Sequence, residues 1–210
     1  MTNIVQNVAV EAQNVTEYVA QLNVAFDARI AYQRDYHASE STDNLVKKLN
    51  AMRRDATHEK VAQSFLDRNI DANFVNRQER ANARFNEKAI VKAINLVRSL
   101  LKVDTINIYT RAIVASLVSF EQADLQMTQR ETKAACSADA KLADSKRNKL
   151  VKRVAKIYDA STASTQSSSS NQVLLTFNII RETKNAANEN CFVLNRDNQT
   201  TQDLLALIAV

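Results

Sequence analysis

Eight of the ten residues in STASTQSSSS, positions 161 to 170, are serine or threonine. A serine hydroxyl becomes a nucleophile only beside a base that takes its proton. The chain has two histidines, His37 and His58, and neither stands with an aspartate in a recognisable triad spacing. Nor do they have cysteine or carboxylate neighbours at metal-ligand spacing, so no metal site is expected. Cys136 and Cys191 fall outside any CxxC motif and read as buried thiols. Glycine and proline are wholly absent. Walker loops, dinucleotide fingerprints and nucleophile elbows need glycine where the backbone turns sharply, so none of them can form in its standard form. The expectation is a chain that is not an enzyme and carries no cofactor. What remains for the hydroxyl cluster is hydrogen bonding, for which phosphate oxygens and base edges are suitable partners.

Charge supplies the second candidate chemistry. Lysine and arginine number 28 against 23 aspartates and glutamates, a net charge of +5 that is unevenly placed. Residues 141 to 158 hold Lys141, Lys146, Arg147, Lys149, Lys152, Arg153 and Lys156 against Asp144 alone. A second group, Arg77, Arg80, Arg84, Lys88 and Lys92, steps by three and four as a basic stripe on one helix face. Such a stripe is ordinarily solvated, and it also matches a phosphate backbone or an acidic partner.

The elements that must carry these residues read mostly as helices. Val5, Val8, Ala12, Val15, Val19, Leu22 and Phe26 form an a/d seam, which packs on its own chain or on a second copy. Ser41, Thr42 and Asp43 offer caps to a short helix, and Thr57 to another that ends at Asn69. One long helix is expected from Asp71 to about Lys102, followed from Asp104 or Thr105 by a core helix through Ile113, Leu117 and Phe120. Thr128 and Glu131 make a capping box. Composition alone reads 161 to 170 as a flexible linker, but Val173, Leu174 and Phe177 continue at helical spacing, so a helix is expected over about 164 to 177. Asn178 stands where a helix C-cap usually places glycine, and a hairpin follows around KNAANE. Thr200 or Thr201 caps a final leucine-rich helix.

The stretch AKIYDASTASTQSSSSNQVLLTFNIIRETKNAANENCFVL resembles the winged helix-turn-helix DNA-binding domains, in which a hydroxyl-rich recognition helix precedes a two-stranded wing. With its preceding helix the resemblance covers about residues 128 to 195, and the first helix of the motif is either 105 to 120 or 128 to 137. It implies that Thr165, Gln166, Ser167, Ser168 and Ser169 face the major groove, with Gln166 reading adenine and Ser164 bonding phosphate. Lys184 in the wing, and Lys152, Arg153 and Lys156 on the preceding helix, then supply the electrostatic attraction. The expected fold is mainly α. It comprises an N-terminal helical region, residues 1 to 125, for oligomerisation or partner binding, and a winged-helix-like domain, residues 126 to 210, with one small β-hairpin. The expected partners are double-stranded DNA and a second copy of the chain through the N-terminal helix. The expected role is regulatory and intracellular, in the cytoplasm or on the nucleoid, with no membrane. The competing expectation is a helical assembly protein, of a viral particle or scaffold, whose basic face meets an acidic partner.

Overall fold

The computed structural model describes residues 14–36, 40–80 and 83–208. Helices α1 (Val15–Tyr36), α2 (Glu40–Ala56) and α3 (Glu59–Asp67) lead into a 3-10 turn (Ala72–Asn76) and two short paired strands, β1 (Gln78–Arg80) and β2 (Ala83–Arg84). Next come α4 (Glu87–Leu100), α5 (Ile108–Gln122), β3 (Met127–Thr128), α6 (Gln129–Ala135) and α7 (Ser145–Leu150). The chain ends with α8 (Ala160–Thr176), β4 (Ile180–Lys184), β5 (Asn190–Leu194) and α9 (Gln199–Ile208). The mainly helical fold with a small β element is as expected, although beside the β1-β2 pair the hairpin belongs to a three-stranded sheet, antiparallel in the order β3-β5-β4. Among the described residues no helix is long and apolar enough to cross a membrane.

Chain reversals without glycine rely on other residues in the left-handed region. Asn69, Lys102, Asp124 and Asn178 follow α3, α4, α5 and α8 with φ between 52° and 59°. At each, two backbone bonds close the helix end in the Schellman pattern, as where Ile179 N–H donates to Leu174 C=O at 2.8 Å and Asn178 N–H to Leu175 C=O at 3.0 Å. Asn69 and Asn178 therefore terminate their helices as their positions suggested. The Thr128–Glu131 capping box is also present, with Glu131 accepting from Thr128 N–H at 2.7 Å.

Several helix boundaries differ from expectation. α2 begins before Ser41, α3 is preceded by His58 rather than opened by Thr57, and α5 starts at Ile108 under an Asn107 cap. The long helix from Asp71 to Lys102 does not form. Phe74 and Phe85 would lie about 16 Å apart along a straight helix. The fold back through β1 and β2 brings their rings to 5.8 Å, edge to face, in the core. With that helix goes the basic stripe. Arg77 lies over the Phe85 ring, Arg84 lies over Tyr32, and Lys92 is buried.

The N-terminal seam is likewise satisfied within the chain. Val5, Val8 and Ala12 lie outside the described residues, but Leu22 and Phe26 are fully buried against the 3-10 turn, α2 and α3. Tyr18 anchors the same face, its hydroxyl donating to Ile70 C=O at 2.7 Å. These side chains are thus unavailable as the oligomer contact expected of them. The core is continuous across residue 125, because α4 and α5 both pack on α8.

Candidate functional site

α8 packs against α4, α5, α6 and β4. It is helical rather than a linker because Ala163, Val173, Leu174 and Phe177 are buried against neighbouring elements, while its hydroxyls bond back to its own turns. Thr165 donates to Ser161 C=O at 3.0 Å, Ser167 to Ser164 C=O at 3.0 Å and Ser169 to Thr165 C=O at 2.8 Å. A serine so satisfied packs as a small, nearly apolar residue and lets neighbouring helices come close.

Asp159 caps the helix, its carboxylate accepting from Thr162 N–H at 2.7 Å and from the Thr162 hydroxyl at 3.0 Å. Those bonds hold the Asp159 carboxyl below the usual carboxylate range.

The inward face of α8 holds Ala163, Ser167, Ser170, Leu174 and Phe177, with Ser169 and Asn171 beside them, all buried. Ser167 and Ser169 therefore cannot face a groove as expected. Asn171 Nδ2 donates to Thr132 Oγ1 on α6 at 3.0 Å, and Thr110 on α5 reaches the Ser170 hydroxyl at 3.4 Å. The outward face is Ser161, Ser164, Ser168 and Leu175, with Thr165 and Gln166 half-buried.

Sequence reasoning missed Lys92. Its ammonium crosses from α4 to donate to Gln166 C=O at 2.7 Å and to the Ser169 and Ser170 hydroxyls at 2.8 Å each. The nitrogen also lies 5.2 Å from the centre of the Tyr109 ring. Burial pushes its pKa down to about 7, with Cys136 opposing the fall and Lys88 adding to it. Burial likewise raises the Cys136 thiol to about 12, against the pull of Lys92. A lysine of lowered pKa beside serine is the makings of an activated nucleophile. Here Lys92, Ser169 and Ser170 are all sealed from solvent, so the arrangement clasps α4 to α8.

The clasp has a pH signature. With the folded pKa below the unfolded value near 10.5, the folded amine holds fewer protons than the unfolded one between about pH 7 and 10.5. Stability therefore rises with pH across that window and is lost as pH falls through about 7. Cys136 works in the opposite sense above about pH 9, so the clean interval is pH 7 to 9. There wild type is expected to gain up to about 1.4 kcal/mol per pH unit relative to Lys92→Met, in urea unfolding of both proteins.

The basic segment between α6 and α8 is not one helix. Only Ser145–Leu150 is helical, capped by Asp144, whose carboxylate accepts from Arg147 N–H at 3.0 Å. The rest is pinned in extended form. Ser116 Oγ accepts from Lys152 N–H at 2.8 Å, Val154 N–H donates to Ala135 C=O at 3.0 Å, and Ser137 Oγ accepts from Tyr158 N–H at 2.9 Å. Arg153 is turned inward, donating to Ala140 C=O at 2.8 Å and to Asn148 C=O and Val151 C=O at 3.1 Å each. It is a structural clamp rather than the phosphate contact expected. Lys152 and Lys156 remain exposed, with Lys156 over the Tyr158 ring at 5.3 Å.

Lys184 is exposed as expected, at the end of β4, its ammonium folded over the hairpin turn toward Asn188 C=O at 3.2 Å. A cleft of about 460 Å³ gathers the start of α6 (Arg130, Glu131), the basic segment (Leu142, Asp144) and the hairpin turn (Glu189, Asn190) around Arg147. No protein-family model, curated protein or solved structure matches this chain. Its function must therefore be argued from this geometry.

Proposed function

We propose that residues 108 to 208 form a nucleic-acid-binding unit of the winged-helix kind, acting on double-stranded DNA. The observation that carries the reading is the order of elements together with the order of strands. Helix α5, strand β3 and helix α6 are followed, after an insertion that holds α7, by helix α8 and the β4–β5 hairpin, and β3 pairs with the far strand of the hairpin to give β3-β5-β4. That order supports reading α5 as the first helix of a winged helix, α8 as its recognition helix and the hairpin as its wing. The likeness is one of fold, and folds host many functions, so the surface must support it too. It does so through small hydroxyls on the outward face of α8, through Lys152 and Lys156 just ahead of that helix, and through the cleft joining α6, the basic segment and the wing. The departure is the 24 residues from 136 to 159, which stand where such domains have a short turn.

The exposed hydroxyls of α8 are Ser161, Ser164 and Ser168, with Thr162, Thr165, Gln166, Gln172 and Thr176 half-buried, and these are the polar side chains open to DNA. A carboxylate on that face would meet phosphate with like charge. The double variant Ser164→Glu, Ser168→Glu is expected to bind a fluorescent duplex at least about tenfold more weakly at moderate salt. Asn44→Glu, Asn50→Glu adds the same charge at exposed positions on α2 and should bind much as wild type does. Equal weakening of the two variants would mean that net charge, and not the face of α8, governs binding.

A further inference from the structure

We infer that the segment from 136 to 159 is a sequence-independent contact for the phosphate backbone of a double-stranded nucleic acid, giving the unit its affinity where α8 offers little readout. The inference deepens the reading above and rests on it. Within the segment, seven cations stand against three aspartates. The two arginines are committed, Arg147 to Glu131 and Arg153 to backbone carbonyls. Lys141, Lys146, Lys149, Lys152 and Lys156 are all exposed, and among the described residues none of them enters an ion pair. The three acids each have a local partner. Asp139 accepts from the Ser137 hydroxyl at 2.6 Å, Asp144 caps α7 and Asp159 caps α8.

Flexible lysines on a disordered tail would lose much conformational freedom on binding. Here the backbone is held at Ser116, Ala135 and Ser137 and braced by Arg153, so the charges are already placed. Lysine ammoniums are point charges that favour phosphate without distinguishing bases. Of the hydroxyls expected in the groove, Ser167 and Ser169 are buried, and Gln166, the expected base reader, is half-buried with its carbonyl held by Lys92. Recognition should therefore be governed by counterion release and be nearly blind to sequence.

The test is fluorescence anisotropy with full-length protein and a 30-base-pair duplex of arbitrary sequence, at several salt concentrations. It compares wild type with Lys146→Gln, Lys149→Gln, Lys152→Gln, Lys156→Gln combined. The variant touches only exposed side chains, and circular dichroism verifies its fold. The expected result is a fall in the slope of log K against log salt by up to about 3.6, from roughly 0.9 per phosphate contact, with affinity lower by more than about tenfold at low salt. A scrambled duplex should bind within about threefold of the original. An unchanged slope in the variant, while Ser164→Glu, Ser168→Glu still loses binding, would overturn this inference and leave the winged-helix reading standing. Absence of duplex binding by wild type would overturn both. Tighter binding to polyglutamate than to duplex of equal charge would assign the segment to an acidic protein partner instead.

Discussion

Replacing Arg147 by alanine is expected to destabilise the protein by about 3 kcal/mol or more. The guanidinium grips Glu131 through two nitrogens, with Nη2 2.8 Å from Oε2, donates to Gln126 C=O at 2.7 Å, and lies 5.0 Å from the centre of the Phe120 ring. Glu131 is 3% exposed, and its only other described bond is from Thr128 N–H. Without Arg147 a buried carboxylate loses its counter-charge, and such a loss exceeds that of the pair itself because desolvation is no longer offset. Replacing Glu131 by glutamine in the same variant should recover much of the stability, since a neutral amide can still accept from Thr128 N–H. Urea unfolding of the four proteins in the cycle measures the coupling. A loss below about 1 kcal/mol would mean that the pair behaves as an ordinary surface ion pair.

Phe65→Ala is expected to be as severe, at about 3 to 5 kcal/mol from lost burial plus the cavity left behind. Phe65 has no exposed surface, and its ring lies 5.3 Å from Phe74 and 6.0 Å from Phe177, while Phe74 meets Phe85 at 5.8 Å. This row ties the start of α4 to the end of α8, so it joins the N-terminal helices to the unit proposed to bind DNA. The variant should therefore unfold at lower denaturant in one transition, with helix content and tyrosine fluorescence changing together. Two separated transitions would show that the halves fold independently, against the continuous core.

Much of this fold was legible where a residue type has only one local use. Asn178 after an apolar helix end, the Thr128–Glu131 box and the hairpin around KNAANE read directly, because caps and turns depend on near neighbours. The long helix from Asp71 did not, because Phe74 and Phe85 share a face at helical spacing and only tertiary contact shows that the chain doubles back between them. The serine helix misled for a different reason. Hydroxyl residues look polar in a pattern, yet each can bond its own preceding turn and pack inward. The signal was present in Ala163, Ser167, Ser170, Leu174 and Phe177, whose steps of four and three trace a buried stripe once serine is counted as a small residue. Lys92 carried no such sign. Its position in an apparent basic stripe argued for solvent, and its burial depends on three acceptors supplied by a helix more than seventy residues away.

Lysine footprinting addresses DNA binding by the α8 and hairpin unit most directly, because acetylation reads each ammonium separately with and without duplex. The account predicts that excess duplex DNA slows modification of Lys146, Lys149, Lys152, Lys156 and Lys184, and leaves the exposed Lys47, Lys48 and Lys60 of α2 and α3 unchanged. Protection of α2 and α3 with none at 146 to 184, or no protection at any lysine, would contradict it.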